Sequence, residues 1–325
     1  MAHEIEVVDG KASAFFVGEP AWHKLGKVFA AGTHLDIPTA IDAAGLNWDV
    51  RLQPLHMKFD GEDLPVPGYA TVRSTDKNVL GVVGPTYKPL QNREAFNWFQ
   101  PFLEAGEASL EAAGSLREGK RVWVLARLNR DPIEVVPGDV VSKYVLLSNS
   151  HDGTMAIRAG FTGVRVVCAN TMAEAHNSKA SKLLRVRHTA NSARTLEEVR
   201  EVMNLADQEF MATAQQYRSL ARKGVNTEDL KTYVRKVFEP KVLLTDTPEE
   251  DRNERLLGRI IPLFEKGRGN DMPGVAGTMW AAYNAVNEYL GYERGNPTNR
   301  LDSMWFGDAA RLNDRAFQTA LRMAA

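Results

Sequence analysis

The sequence predicts an α+β protein, in which an antiparallel sheet with a β-β-β-α core is followed by a helical C-terminal third. Between residues 48 and 168, short apolar runs alternate with polar residues and are separated by turn signals, a pattern typical of antiparallel strands. Beyond residue 195, apolar residues recur at three- and four-residue steps, which indicates amphipathic helices. Neither a repeat nor a low-complexity segment interrupts these two patterns.

Three regions follow from this order of elements. We expect an N-terminal α+β lobe over residues 1–115, a central β-hairpin and helix core with a long amphipathic helix over 116–240, and a C-terminal helical region over 241–325. A chain of 325 residues is long enough to bury a substantial core and to form more than one lobe.

The N-terminal lobe is predicted to contain two short helices around a set of strands. Asp36 is a candidate N-cap of the first helix, with Pro38 in its first turn and Gly45 at its end. The strands WDVRL, LHMKF, GYATVRS and VLGVV follow, with turns at Asp60-Gly61 and at residues 75–78. Asn92 is expected to cap the second helix, which Pro101 bends or shortens.

The central region is predicted to contain two hairpins and a helix. SLEAAGSL and RVWVLARL flank a turn at residues 117–120, and VVSKYVLLSN is followed by turn chemistry at His151-Asp152-Gly153. TMAIRAGF is the partner strand, GVRVVC is a third strand, and Asn170-Thr171 is expected to cap the helix that completes the β-β-β-α order.

A long helical stripe opens the last third, after a capping box formed by Thr195 and Glu198. Its members share helical spacing: Leu196, Val199, Met203, Ala206, Phe210, Ala214 and Tyr217. Such a stripe packs against another helix or another subunit, and we expect a homo-oligomer.

Shorter helices are predicted to complete the chain. One begins near Asn226-Thr227 and ends before Pro240, and the next begins at residue 247 and is interrupted at Pro262. EKGRGNDMPGVAG is predicted to be a flexible connector. The two closing helices, TMWAAYNAVNEYL and GDAARLNDRAFQTALRM, are separated by a predicted loop that contains Arg294, Arg300, Trp305 and Phe306.

Composition points to a cytoplasmic protein without a membrane partner. The single Cys168 excludes a disulfide within one chain, and the N-terminus MAHEIEVVDGKAS lacks the order of a signal peptide. No apolar run approaches the roughly 20 residues that a membrane-spanning helix needs.

Enzyme, cofactor and metal motifs are missing from the sequence. GSLREGKR matches the start of a phosphate-binding loop, but Arg121 stands where a Ser or Thr belongs and a strand follows, so we interpret the match as accidental. The sequence contains no G-x-G-x-x-G, no H-E-x-x-H and no paired-Cys zinc pattern. Cys168 lies at the end of an apolar strand, where a buried structural thiol is expected rather than a nucleophile.

A basic segment, residues 158–190, is the strongest functional signal. It holds six basic residues and one acid in a chain whose net charge is −1, so the rest of the chain is acidic. The candidate nucleic-acid-binding residues are Lys143, Arg158, Arg165, Lys179, Lys182, Arg185 and Arg187. A basic track of this kind, with Tyr144 and Phe161 as platforms on which bases stack, would suit single-stranded DNA. The alternatives are a solvated helix face for the charges and core packing for the aromatics.

Two other functional classes remain open from the residues alone. In an enzyme acting on nucleic acid or a nucleotide, His151, Asp152 and Asn170 would converge at one end of the hairpin. The simpler interpretation makes His151 a turn residue. In a structural or host-interaction protein, the basic segment is only surface.

Three stretches resemble a known family. FFVGEPAWHKLG, KYVLLSNSHDGTMAIRAGFTGVRVVCANTM and WFGDAARLNDRAF are similar to a family of phage/plasmid-like proteins of unknown function, and the resemblance spans essentially the whole chain. It implies a mobile-element origin in a bacterial cytoplasm and carries no mapped catalytic residues. The β-β-β-α order also resembles the core of single-strand annealing proteins used in phage recombination, through topology alone. Our leading hypothesis is therefore a non-enzymatic single-stranded-DNA-binding or annealing protein that needs no cofactor.

Overall fold

The computed structural model describes residues 5–8, 11–18, 25–165, 170–171, 196–238, 249–296 and 299–325. These residues form an α+β protein whose mixed sheet is mostly antiparallel and whose C-terminal part is helical, so the predicted fold class is confirmed. The chain divides into two units. Unit 1 comprises the described residues up to Arg130, Tyr144–Phe161 and the stretch that ends at Leu205; unit 2 comprises Asp131–Lys143, the described residues of 162–174, and Ala206–Ala325.

The strands are β1 (Val7–Val8), β2 (Lys11–Ala12), β3 (Ala14–Val17), β4 (Lys27–Phe29), β5 (Val50–Phe59), β6 (Glu62–Arg73), β7 (Val79–Val83), β8 (Ala108–Leu116), β9 (Arg121–Leu128), β10 (Ile133–Val136), β11 (Asp139–Ser150), β12 (Arg158–Arg165) and β13 (Asn170–Thr171). The helices are α1 (Ile37–Ala43), α2 (Asn92–Asn97), α3 (Gln100–Glu104), α4 (Leu196–Arg222), α5 (Thr227–Phe238), α6 (Glu249–Lys266), α7 (Met279–Glu288), α8 (Arg300–Phe306) and α9 (Asp308–Ala324). A π-helical turn, Tyr289–Glu293, follows α7 directly.

Hydrogen bonds join the strands into one large sheet and two smaller ones. The large sheet has the order β13-β12-β11-β9-β8-β3-β4, with β10 paired to β11. The β3–β4 pair is parallel, whereas the pairs β3–β8, β8–β9, β9–β11, β10–β11 and β12–β13 are antiparallel. A separate sheet has the order β5-β6-β7, and β1 pairs with β2. β11 begins in unit 2 and ends in unit 1, whereas β12 begins in unit 1 and ends in unit 2.

Local signals in unit 1 produce the turns that the sequence predicts. Asp36 caps α1 by accepting a hydrogen bond from the Thr39 amide at 2.8 Å, and this bond lowers the pKa of the Asp36 carboxyl. Asp60 and Gly61 both have positive φ at the β5–β6 turn, as a type I′ hairpin requires. GSLREGKR forms the β8–β9 hairpin and leads into a strand, which confirms that it is not a phosphate loop.

The predicted cap of α2 is wrong by one residue. Gln91 precedes the helix, and its backbone amide donates to Glu94 at 2.8 Å in a capping box. Asn92 is the first helical residue and its side chain is buried. The cap preference of Asn was outweighed by tertiary hydrogen bonds that only the folded chain supplies.

The predicted third strand and the predicted cap after it also differ from the structure. RAGFTGVR is one strand, β12, so residues 163–165 continue it and do not begin another. Asn170-Thr171 forms β13, with Arg165 opposite Asn170 and Val164 opposite Thr171. The expected helix cap at Asn170 is therefore wrong, and the expected helix after it lies outside the described residues, as does Cys168.

Unit 2 is built around an aromatic core. The Tyr217 ring on α4 lies 4.8 Å from the Trp280 ring and 5.5 Å from the Phe317 ring, and all three side chains are buried. Phe210 and Ala214, from the same stripe, are buried as well. This half of the stripe thus packs within its own unit, and it does not provide the surface for the self-association that the sequence predicts.

Three further expectations for unit 2 are corrected. α6 continues through Pro262 to Lys266, because one missing hydrogen bond does not end a helix whose Ile260 is fully buried. The connector after it is fixed, since Asn270 Nδ2 donates to the carbonyls of Leu263 at 2.9 Å and Ala281 at 3.1 Å. The predicted loop at residues 300–306 is the helix α8.

Candidate functional site

The end of the β11–β12 hairpin gathers the polar residues that the sequence singled out. Ser148, Asn149, Ser150 and His151 are all fully buried in unit 1. Ser150 Oγ accepts from the Met155 amide at 2.9 Å and donates to the Met155 carbonyl at 3.0 Å, which closes the turn. This end of the hairpin is therefore a closed, hydrogen-bonded structure.

Asp152 has a local role in the same turn. Its Oδ1 accepts from the Thr154 amide at 3.0 Å and from the Thr154 hydroxyl at 2.6 Å, an Asx-type arrangement that stabilises tight turns. Gly153 beside it has φ of +75°, a conformation that favours glycine. The carboxylate of Asp152 is thus engaged in the turn.

His151 is held from two sides. Its backbone amide donates to the Lys120 carbonyl at 2.8 Å, and its Nε2 lies 3.0 Å from Asn92 Oδ1. Asn92 Nδ2 donates to the carbonyls of Leu46 at 3.1 Å and Trp48 at 3.3 Å, which leaves Oδ1 as the acceptor toward the imidazole. Nε2 of His151 therefore donates to Asn92.

The cluster continues through an aromatic ring to a buried ion pair. The Trp48 ring packs edge-on against the His151 ring at 5.3 Å, and the Arg73 guanidinium lies 5.3 Å from the Trp48 ring. Arg73 bonds Glu6, and it bonds Asp76 through Nε and Nη2 at 2.9 and 2.7 Å. Burial lowers the pKa of Arg73, but the hydrogen bonds to Asp76 and Glu6 outweigh that effect and raise it.

We call these six residues the unit 1 polar cluster: Glu6, Trp48, Arg73, Asp76, Asn92 and His151. The sequence does not reveal this cluster, because His151 and Asn92 are 59 positions apart and Arg73 and Glu6 are 67 positions apart. Burial of a charge requires such pairing. No local signal in the sequence identifies these partners.

The geometry of the cluster favours a structural role over a catalytic one. A general base has to come within hydrogen-bond reach of a substrate, and His151 has no exposed surface. The turn position predicted for His151 is confirmed, and its burial was not foreseen. His151 and Asp152 belong to unit 1 and Asn170 to unit 2, so their convergence remains a prediction.

The candidate nucleic-acid-binding residues fall into three groups. Lys143 is buried in unit 2, with its Nζ 5.5 Å from the Phe210 ring centroid. Arg158 is half-buried at the start of β12, and its carbonyl accepts from Ser148 Oγ at 3.4 Å. Arg165 is placed only by its backbone in β12. The remaining candidates lie outside the described residues: Lys179, Lys182, Arg185 and Arg187.

The two aromatic residues considered for base stacking are not exposed platforms. Phe161 is buried. Tyr144 is half-buried, and burial raises the pKa of its hydroxyl to about 12. Core packing, the alternative left open by the sequence, accounts for Phe161.

Neither a metal-binding cluster nor a membrane-spanning helix occurs within the described ranges. There, the structure holds no group of three or more His, Cys, Asp or Glu side chains that could bind a metal ion. Nor does any helix within those ranges combine the length and apolar character needed to cross a membrane.

Comparison with known proteins gives one family match. Neither the comparison with curated proteins nor that with solved structures found a match. A family model described as a domain of unknown function, DUF932, matches residues 79–317, which is more than half of the 325 residues. The matched range runs from β7 into α9, and the chain therefore belongs to the DUF932 family.

Proposed function

We propose that the protein binds single-stranded DNA through the basic segment, residues 158–190, without catalysing a reaction. The observation that carries the proposal is the charge of this segment, six basic residues against one acid, in a chain that is otherwise acidic. A local excess of positive charge attracts the phosphate backbone and releases condensed counterions when it binds.

The position of the segment supports this proposal. β12 and β13 form the hairpin with which the segment begins, and β13 stands at one end of the strand order of the large sheet. An edge strand presents backbone groups with which an added, extended chain can pair. Arg165 lies on this hairpin, opposite Asn170.

The proposed interface contains fewer residues than the sequence predicts. Lys143 is not part of it, because its amine lies against Phe210 in the interior of unit 2. Phe161 is in the core as well. The proposal therefore rests on charge, with Arg165, Lys182 and Arg185 as its first residues to test.

The biological setting is proposed on the resemblance to phage/plasmid-like proteins. We place the protein in a bacterial cytoplasm as a product of a mobile element, where single-strand annealing during recombination is the activity that fits charge neutralisation without nucleotide hydrolysis. The buried His151 argues against the enzyme alternative, since substrate has no access to its imidazole.

Fluorescence anisotropy with labelled oligonucleotides tests the proposal. We expect the full chain to bind single strands at low salt, with affinity that falls as salt rises. Each of Arg165→Ala, Lys182→Ala and Arg185→Ala should weaken binding and reduce the log–log salt slope by about 0.7 for every phosphate that is no longer neutralised. A labelled duplex of the same sequence measures strand preference.

Matched controls come from an exposed basic pair elsewhere. Arg235→Ala and Lys236→Ala remove the same charge from exposed positions on α5 and should leave the salt slope unchanged. If the native chain does not bind single strands at low salt, or if the control pair lowers affinity as much as the segment variants do, the proposed interface is wrong.

A further inference from the structure

The three-stranded sheet β5-β6-β7 has two faces of opposite character. Strand pairing places residues that oppose one another on the same face. One face includes Val50, Thr71 and Arg73, all buried. We call the other the outer face; its members follow from the pairing: Arg51, Gln53, Leu55, Met57, Phe59, Glu62, Leu64, Val66, Ala70, Val72, Val79 and Val82.

Large apolar side chains are exposed on the outer face. Within the described residues, eight large apolar side chains are exposed, and five of them lie here: Met57 at 46%, Phe59 at 59%, Leu64 at 37%, Val79 at 53% and Val82 at 64%. A fully exposed aromatic side chain has an area of ~150–250 Å², and an aliphatic one has less. Multiplied by the exposed fractions, these areas give roughly 450 Å² of exposed apolar surface for the five residues. The largest apolar patch on a monomeric protein is typically ~300–600 Å² and is often functional, so an exposed apolar area of this size makes the outer face a candidate interaction surface.

The chemistry of the outer face excludes some partners. Only Arg51 and Glu62 carry charge on it, so it offers no net attraction to a polyanion or to an anionic lipid surface. The opposite face of the hairpin tip is polar and exposed, with His56 Nδ1 3.7 Å from Asp63 Oδ2. The hairpin tip is thus amphipathic, and its apolar side requires an apolar partner.

The outer edge of β5 is a poor alternative for docking, and the Gln91 side chain already bonds the Val50 backbone there at 2.8 and 3.0 Å. Pro54 cannot donate a hydrogen bond to an added strand, and the exposed charges of Arg51 and Lys58 disfavour strand pairing. A partner therefore meets the face of this sheet and not the β5 edge.

We propose that the outer face binds the outer face of a second copy of this chain. A standard interface buries about 800 Å² on each partner, and about two thirds of its core is apolar. The roughly 450 Å² of exposed apolar surface on the outer face is enough to form such a core. Identical faces pack on each other through a two-fold axis. This interface replaces the α4 stripe, which is occupied within unit 2, as the basis for self-association.

Charge selects the orientation of the two copies. Arg51 lies at the base of the face and Glu62 at its tip, separated by roughly 26 Å of extended strand. We consider a two-fold axis that lies between the two sheets, runs parallel to them and perpendicular to their strands, and passes over Leu55. This axis places the tip of one sheet over the base of the other. Glu62 of each copy then lies near Arg51 of the other, whereas tip-over-tip stacking brings like charges together.

Sedimentation velocity on the full chain over ~1–100 µM tests the interface, because a dimer responds to concentration by mass action. We expect the native chain to dimerise and Phe59→Ser with Val82→Thr to raise the dissociation constant at least about tenfold. His56→Ser and Lys58→Ser, on the polar face, are the matched controls and should leave it unchanged. Circular dichroism verifies that each variant is folded.

A charge exchange identifies the partner as a second copy. Arg51→Glu and Glu62→Arg should each weaken the dimer, and the double variant Arg51→Glu with Glu62→Arg should restore it, because the exchanged charges meet only across a two-fold axis. A monomer at every concentration, a dimer insensitive to Phe59→Ser and Val82→Thr, or a double variant that is not restored overturns the proposal. So does binding of a monomeric chain to neutral phosphatidylcholine vesicles that Phe59→Ser abolishes.

Discussion

Replacing Asn92 by alanine should destabilise unit 1 more than its size suggests. The side chain makes hydrogen bonds at 3.0, 3.1 and 3.3 Å to His151 and to the carbonyls of Leu46 and Trp48. All three partners would then be left in an interior without this side chain to bond. At about 1 kcal/mol for each hydrogen bond removed, with the longest bond contributing least, Asn92→Ala should lower the free energy of unfolding by about 3 kcal/mol.

A double-mutant cycle isolates the bond between Asn92 and His151. His151→Ala removes that bond and the edge-on packing with Trp48, and it leaves a cavity, so it should cost about 3 kcal/mol as well. Because both substitutions remove the same hydrogen bond, the double variant should be less destabilised than the sum by about 1 kcal/mol.

Denaturant unfolding measures these free energies, and hydrogen exchange on peptides from β5 and β11 reports on unit 1 when the two units unfold separately. Asn47→Ala is the control, since the side chain of Asn47 is exposed and donates to the exposed Asp42. A loss for Asn92→Ala no larger than that for Asn47→Ala would refute the assignment of a stabilising role to the cluster.

Two further substitutions test the packing and the electrostatics of unit 1. A Cβ at Gly81 would lie 2.5 Å from Asp152 Cα, whereas one at Gly84 meets nothing within 4 Å; Gly81→Ala should therefore cost about 1–3 kcal/mol and Gly84→Ala far less, as thermal unfolding would show. Burial raises the pKa of Tyr144 to about 12, so its neutral form contributes stability that is complete below the unfolded pKa of about 10 and is lost as pH rises toward 12. An ultraviolet titration of Tyr144→Phe should lack one late-titrating tyrosine, and an unchanged titration would contradict this burial.

The elements that sequence analysis predicted well depend on neighbours in the chain. The Asp36 cap is completed by Thr39, three residues away, and the turn at residues 117–120 needs only positive φ at adjacent positions. Periodicity likewise identified β5 to β9, β11 and β12, because alternation is a local property, although it divided β5 into two strands and missed β1 to β4, β10 and β13. Such features are fixed by chemistry within one turn of backbone.

The errors share a different physical cause. Asparagine is a residue type that often caps helices, but the Asn92 side chain forms hydrogen bonds with partners more than 40 positions away in the chain. The sequence predicts a new strand from Gly163, whereas this residue continues β12. The α4 stripe resembles an oligomer surface, but its Tyr217 packs against Trp280 in its own unit. Local preference is weak compared with burial and tertiary hydrogen bonding, so a single sequence could not rank these outcomes.

The polar residues of β11 have a role that apolar patterning cannot fill. In the first half of the strand, buried and half-buried residues alternate, but from Val145 to Ser150 every residue is buried on both faces. A one-residue slip there exchanges one buried face for another, so hydrophobicity does not define the register. Directional bonds do: Asn149 Nδ2 donates to the Leu90 carbonyl at 3.2 Å, and Tyr87 Oη donates to the Ser150 carbonyl at 3.0 Å. A slip would leave these buried groups without partners. The polar residues Ser148 to Ser150 therefore specify the register of β11, and with it the point from which the chain turns into β12.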